Sequence, residues 1–312
     1  MNKISFIILI SILSLNVYGQ GTILRDDISD GKRIIEAYFN PLAESLGAGL
    51  NNGWYNTAKP HNFAGFDFTI NLSTVIIPNE VKTFSIGNNF GNFTSNNTDA
   101  ATIFGENSTT SMLYNETTTN HQWDFNLPGG FNIPAMPTPM LQAGIGLIKK
   151  TSVDVRYMPT LNLSDIETNL FGIGVKHDIL QWIPVIGDAI PMSLSIQAGY
   201  TELNTSLDIY EQKVSMKTSA TTINLIASRK LLILTGYVGL GYNTSETILL
   251  ADSGFNLSGI NFEDKIEIKL QSENKLRTNI GLRLNLTVVT IHADYTFSEY
   301  PTATLGLGVS LR

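Results

Sequence analysis

The sequence predicts an all-β protein: an antiparallel transmembrane β-barrel of about twelve strands, within a range of about ten to fourteen, behind a short N-terminal helical plug. Three observations predict it. From Gly65 apolar and polar residues alternate with period two in one segment after another, up to the end of the chain. Only 15% of residues are charged, well below the roughly 25% usual for soluble domains. No stretch after the leader reaches about 18 consecutive apolar residues, so a membrane would be crossed by strands rather than by a helix. The final strand shows the pattern without a break. Ala303, Leu305, Leu307, Val309 and Leu311 share one face, and Thr302, Thr304, Gly306, Gly308, Ser310 and Arg312 share the other. Successive side chains of a strand point to opposite sides, so this one has a lipid face and a lumen face.

Residues 1–19 read as a secretory signal peptide. Lys3 supplies the positive start, Ile4 to Leu15 the apolar run, and Val17-Tyr18-Gly19 a cleavage site before Gln20. A retained anchor is the alternative, but about a dozen apolar residues are short for a roughly 30 Å core. The chain has no cysteine, which excludes a lipidated N-terminal Cys, disulfides and thiolate chemistry. A net charge of −7 without basic clusters argues against nucleic acid as a partner. The expected location is the outer membrane of a Gram-negative bacterium, with outer-membrane lipid as the partner. Oligomeric state is not readable.

Residues 20–62 form a segment of different character. Ser29 or Asp30 can cap a helix, and Ile34, Ile35, Tyr38 and Leu42 recur at helical spacing. Pro41 cannot donate a backbone hydrogen bond, so the expectation is two short helices, Asn40 capping the second and Gly47 ending it. The polar and aromatic run from Leu50 through Trp54 to Asn56 follows. The segment is too polar for lipid. A plug built on Ile34, Ile35, Tyr38, Leu42 and Trp54 is one reading, and a periplasmic helix resting on the barrel mouth is the other.

The barrel is expected over residues 63–312. Strands are read at Phe66–Ser73, Leu141–Leu147, Val153–Tyr157, Phe171–Lys176, Leu194–Tyr200, Ile223–Ala227, Leu232–Tyr242, Leu276–Leu286, Val289–Phe297 and the final segment. Two more, at Val81–Ile86 and Gln122–Leu127, complete the twelve. Tight turns are expected at Lys149-Lys150, Arg229-Lys230 and near Thr287, with long outer excursions at 76–137 and 245–274 and a loop at 159–168. With the N-terminus inside, the tight turns sort to the periplasmic side and the long loops to the outer side, as barrels of this type require. Lys265, Glu267 and Lys269 alternate with Ile266, Ile268 and Leu270, so the second excursion is read as strands reaching beyond the membrane.

The lumen face gathers Asp67, Asp154, Arg156, Lys176, Arg277, Arg283, His292 and Asp294. An Arg or Lys on the lipid face near mid-bilayer would cost roughly 2–4 kcal/mol, so the period must turn them inward. Mixed signs point to structural pairing that holds a plug, with a selectivity-setting lining as the other reading. His292 and Asp294 stand two apart on one face and invite a hydrolase reading, but no Ser sits in a nucleophile motif, so no enzyme activity is expected. His61, His121 and His177 lack metal-ligand spacing, and neither metal nor cofactor is implied. Gly239-x-Gly241 and Gly306-x-Gly308 precede no helix, so they are not phosphate loops; on the lumen face they leave room for inward contents. The greasy connection 179–191 carries Trp182, read as an interfacial anchor. Its alternative is packing beneath the barrel mouth.

The runs from Glu36 to Phe39 and from Leu50 to His61 resemble an uncharacterised outer-membrane barrel family of Bacteroidota, as do Phe171–Asp178 and Ile196–Thr201. That resemblance implies location rather than mechanism. A plug ahead of a medium-sized barrel is similar in architecture to the outer-membrane channel family for long-chain fatty acids and aromatic hydrocarbons. The function expected is therefore a plugged channel for small apolar molecules. The rival is a non-transporting structural or assembly barrel whose outer loops bind partners.

Overall fold

Ten antiparallel strands pair in chain order and close on themselves in the computed structural model. They are β1 (Phe66–Ile76), β2 (Ala135–Leu147), β3 (Thr151–Leu163), β4 (Ile166–Asp178), β5 (Ser193–Ile209), β6 (Gln212–Leu231), β7 (Leu234–Ala251), β8 (Leu276–Leu286), β9 (Val289–Phe297) and β10 (Thr302–Leu311). The seam joins β10 to β1, with Leu311 opposite Phe66 and Thr302 opposite Val75. Residues 21–311 are described, apart from 23–27, 88–89, 116–121, 164–165, 184–190, 210–211, 252–254, 258–259, 263–265 and 273–274. The expected signal peptide lies outside the described residues.

Period two does what it promised. Phe66, Phe68, Ile70 and Leu72 of β1 face out, as do Leu305, Leu307, Val309 and Leu311 of β10, while Asp67, Thr69, Asn71 and Ser73 are buried between them. Every strand adds to the same outward apolar belt, for example Phe171 and Ile173 on β4 and Val238 and Leu240 on β7. A continuous apolar surface of that extent is not stable in water and marks a lipid contact. The spans are strands; no described helix is long and apolar enough to cross a membrane.

The two ends of the barrel differ. At the turn end lie both the start of β1 and the end of β10, with hairpins at Lys149-Lys150, Leu232-Ile233 and Thr287-Val288. Lys149 and Lys150 both have positive φ, 54° and 47°, the mirror-image turn whose twist matches its strands. The second hairpin is shifted from the expected Arg229-Lys230, because β6 runs through both to Leu231. At the loop end are residues 77–134 and 252–275. The expected loop at 159–168 is strand on both sides, since β3 reaches Leu163 and β4 starts at Ile166. Strands β5, β6 and β7 have 17, 20 and 18 residues, where roughly 9–11 suffice to cross. They rise past the membrane as a wall, and Ile266–Gln271 pairs with Glu246–Ala251 to widen it.

The strand count is ten, not twelve, among the described residues. Thr83–Ser85 pairs with Asp99–Ala101, and Gln122–Leu127 belongs to a three-stranded sheet with Phe93–Thr94 and Thr110–Asn115. These small sheets sit at the loop end. Their alternating apolar side chains, among them Ile86, Phe93, Met112 and Leu127, are buried against the N-terminal helix. Alternation reports a buried face but not whether lipid or protein buries it.

One helix, α1 (Ile28–Asn51), replaces the expected two, and Pro41 lies inside it. The proline removes one backbone donor, but Tyr38, Leu42, Ala43 and Leu46 are buried on either side of it, and that burial carries the helix through. Asn40 is exposed in mid-helix and caps nothing. Gly47 does not end the helix; it allows the close approach of Ser245 on β7. The start of α1 lies at the loop end and its last turn lies within the barrel.

Candidate functional site

The site is the lumen at the level where α1 ends. A helix leaves its last four carbonyls without intrahelical donors, and inside a barrel each needs one. The Asn52 side chain donates to the Ala48 carbonyl at 2.7 Å, and the Asn52 amide to Gly49 at 3.2 Å. The wall supplies the other two. Arg156 of β3 donates to the Leu50 carbonyl at 2.7 Å, and Arg277 of β8 to that of Asn51 at 2.9 Å. Gly53 follows with φ of 73°, the left-handed turn that commonly ends a helix. Two guanidiniums thus meet the negative end of the helix dipole.

The cap is wider than four bonds. Arg156 also donates to the Asn52 carbonyl at 2.7 Å and to Gln142 Oε1 at 3.0 Å. Its guanidinium lies 3.7 Å from the centre of the Trp54 ring, a cation–π stack. On its other side the indole reaches β4 and β5, where a Cβ at Gly174 would come within 2.7 Å of the ring. Arg277 donates to Asn52 Oδ1 at 3.0 Å and Asn224 Oδ1 at 3.0 Å, and Thr296 donates to Asn52 Oδ1 at 2.7 Å. Below, Arg283 donates to Asn56 Oδ1 at 2.8 Å, the Ala58 amide to Ser228 Oγ at 3.0 Å, and Ser195 Oγ to the Ala58 carbonyl. His61 Nε2 stands 3.3 Å from Asp67 Oδ1. Residues 42–62 are thereby fixed to strands all around the barrel. Charge-assisted bonds of this kind contribute roughly 1.5–3 kcal/mol each, and more is lost when one buried partner is removed.

All eight charged or titratable candidates on the inner face are buried: Asp67, Asp154, Arg156, Lys176, Arg277, Arg283, His292 and Asp294. The three arginines are brought together around residues 50–56. Asp294 accepts from Tyr237 at 2.8 Å and from Asn279 at 2.8 Å, and His292 faces Asn56. Asp154 is reached by Gln142 Nε2 at 3.5 Å. Ile34, Tyr38, Leu42 and Trp54 are buried and Ile35 is half-buried. Trp182 is separate from this site, at the turn end: it is 62% exposed and donates to His177 Nε2 at 2.8 Å. Residues 184–190 of its connection lie outside the described residues. Among the described residues no group of three or more His, Asp or Glu has the geometry to hold a metal.

Charge-led reading missed Asn52, Asn56, Gln142 and Asn224, the amides that complete the cap. For Asn52 and Asn56 the one sequence signal is the density of Asn with Trp and Tyr directly after a helix, in Asn51-Asn52-Gly53-Trp54-Tyr55-Asn56; for Gln142 and Asn224 it is only their place on the polar face of a strand.

A closed antiparallel barrel with an apolar belt, filled by its own N-terminal segment, defines a transmembrane β-barrel protein with an occupied lumen. Within that class the chain belongs to the family described as "Family of unknown function (DUF6588)", whose model matches residues 1–311. No curated protein sequence matches it significantly. Among solved structures, the translocator domain of the autotransporter NalP from Neisseria meningitidis overlaps with a TM-score of 0.34 at 9% identity, covering 92% of this chain and 98% of that one. The outer membrane protease OmpT from Escherichia coli gives 0.28 at 12%, covering 79% and 94%. The Ralstonia pickettii toluene transporter TbuX gives 0.26 at 8%, covering 89% and 100%. At that overlap none of the three bears on what this chain does.

Proposed function

We propose that this protein is an outer-membrane channel closed at rest by its own residues 42–62, with the long loops facing out and the tight turns facing the periplasm. The observation that carries this reading is the cap: inside the barrel, the inner end of α1 is an element whose carbonyls are held by wall arginines. Such an element can leave without unfolding the wall, because the strands pair with one another and not with it. The solute class is small and apolar. Apolar clusters flank α1 on both sides at the loop end, Leu42 with Ile103 and Phe104 on one side and Ala43 with Ile268 and Leu270 on the other. Movement of the helix would open those surfaces to an entering solute.

Planar-bilayer recording of the wild type, Arg156→Met and the Arg156→Met/Arg277→Met pair tests it. The expected result is a mostly closed wild type, with open probability rising from the single to the double variant while all three keep heat-modifiable gel mobility. A second reading, a structural barrel that conducts nothing, is favoured by the number of bonds holding the segment. It predicts three silent, folded proteins. Uptake of a small aromatic hydrocarbon against a sugar of similar size, in liposomes bearing the double variant, then tests the solute class.

A further inference from the structure

We infer that the chain threads its own barrel and presents its N-terminal end at the cell surface. The sidedness rests on the reading just given; the threading does not.

The direction can be followed residue by residue. At the loop end, the backbone at Gly21 and Thr22 pairs in parallel with Ile260 and Asn261 of the second excursion. Ile34 packs with Ile86, Phe90, Phe93 and Met112 of the first. Tyr38 Oη donates to the Gly129 carbonyl at 3.0 Å, and the Ile103 amide donates to the Tyr38 carbonyl at 3.2 Å. Six residues further on, Ser272 donates to Glu44 at 2.6 Å. At mid-barrel Leu50 packs on Met140 and Ala220. Near the turn end Ala58 meets Ser228 and Ser195, and the Ala64 amide donates to the Gly146 carbonyl at 3.0 Å. From 21 to 64 the partners pass from the excursions, through mid-barrel, to the turn end.

The length fits a crossing. The 24 residues of α1 rise roughly 36 Å from the excursions to mid-barrel, and residues 52–64 cover the remaining way to the turns. The polypeptide therefore crosses once more than its ten strands do, and an even-stranded barrel, which would return both ends of its chain to one side, has its two ends on opposite sides. The outer half of α1 becomes part of the exterior. It fills the space between the two excursions and supplies part of the core of each. The backbone at Gly21 and Thr22 and the first turns of α1 are then carried on the outside of the cell.

The absence of cysteine from the chain makes the test clean. Four single-cysteine variants of the full-length protein are labelled on intact cells with a membrane-impermeant maleimide, then again after the outer membrane is permeabilised. Arg33→Cys and Lys59→Cys probe the two ends of the segment, both exposed. Glu106→Cys marks the loop end and Leu232→Cys the turn end. Asn40→Cys and Asn62→Cys replace either probe whose heat-modifiable mobility is lost. The expected result is full labelling of positions 33 and 106 on intact cells, and of positions 59 and 232 only after permeabilisation. Labelling of 33 and 59 from the same side overturns the threading, whatever the controls do. Labelling of 59 and 232 from outside, with 33 and 106 protected, keeps the threading but overturns the surface presentation together with the sidedness proposed above.

Discussion

At Gly199 of β5 the difference between a hydrogen and a methyl group decides where Trp54 sits. The indole lies against the backbone there and at Gly174, with the Arg156 guanidinium on its other side. A Gly199→Val side chain would enter the ring's own volume, an overpacking that costs roughly 1–3 kcal/mol. The expected outcome is a lower unfolding temperature and Trp54 emission moved to longer wavelength, read in a Trp123→Phe/Trp182→Phe background. Unchanged emission would mean that the indole is not pinned. At this scale the sequence is half transparent. Period two names Asp67, Asp154, Arg156, Lys176, Arg277, Arg283, His292 and Asp294 as inward, and all are buried. What it hides is the partner. Arg156 and Arg277 bind main-chain carbonyls, which every residue possesses and no residue type advertises. A search for opposite charges has no means of finding them.

Among elements, the strands are legible because lipid imposes one rule on every outward position. Leu307 on β10 is 55% exposed and faces the membrane. Leu307→Arg therefore costs roughly 2–4 kcal/mol near mid-bilayer and is expected to lower outer-membrane yield and heat-modifiable mobility. Leu232→Arg, at the tip of a hairpin where the side chain is 91% exposed, is expected to assemble normally. Equal yields would show that the belt is misplaced. The inner face imposes a different limit. Thr304 is buried beside Ser73, with the two hydroxyls 3.2 Å apart, so Thr304→Arg fails by crowding whereas Thr304→Val assembles. The helix is less legible in the sequence than the strands. Pro41 marks a break by every local rule, yet α1 runs through it, because apolar surface above and below the proline is buried by the excursions and the rising wall. The same tertiary burial draws the alternating stretches near 83 and 125 out of the barrel and onto the helix. Local pattern is reliable where the environment is uniform and fails where one part of the protein is the environment of another.

For the molecule as a whole, the seam between β10 and β1 has a consequence for the order of assembly. A rod whose ends emerge from opposite mouths of a ring cannot be laid in sideways once the ring is complete; it must be wrapped or pushed through lengthwise. Since β10 is made last and β1 follows directly on residues 20–62, wrapping is the short path: the segment serves as a mandrel, and the final hairpin is the clasp. A barrel of residues 63–312 refolded with the separate peptide 20–62 present from the start is expected to retain it through gel filtration. The same peptide added after refolding is expected to be retained far less. Equal retention would show that the ring opens readily enough to admit its own core.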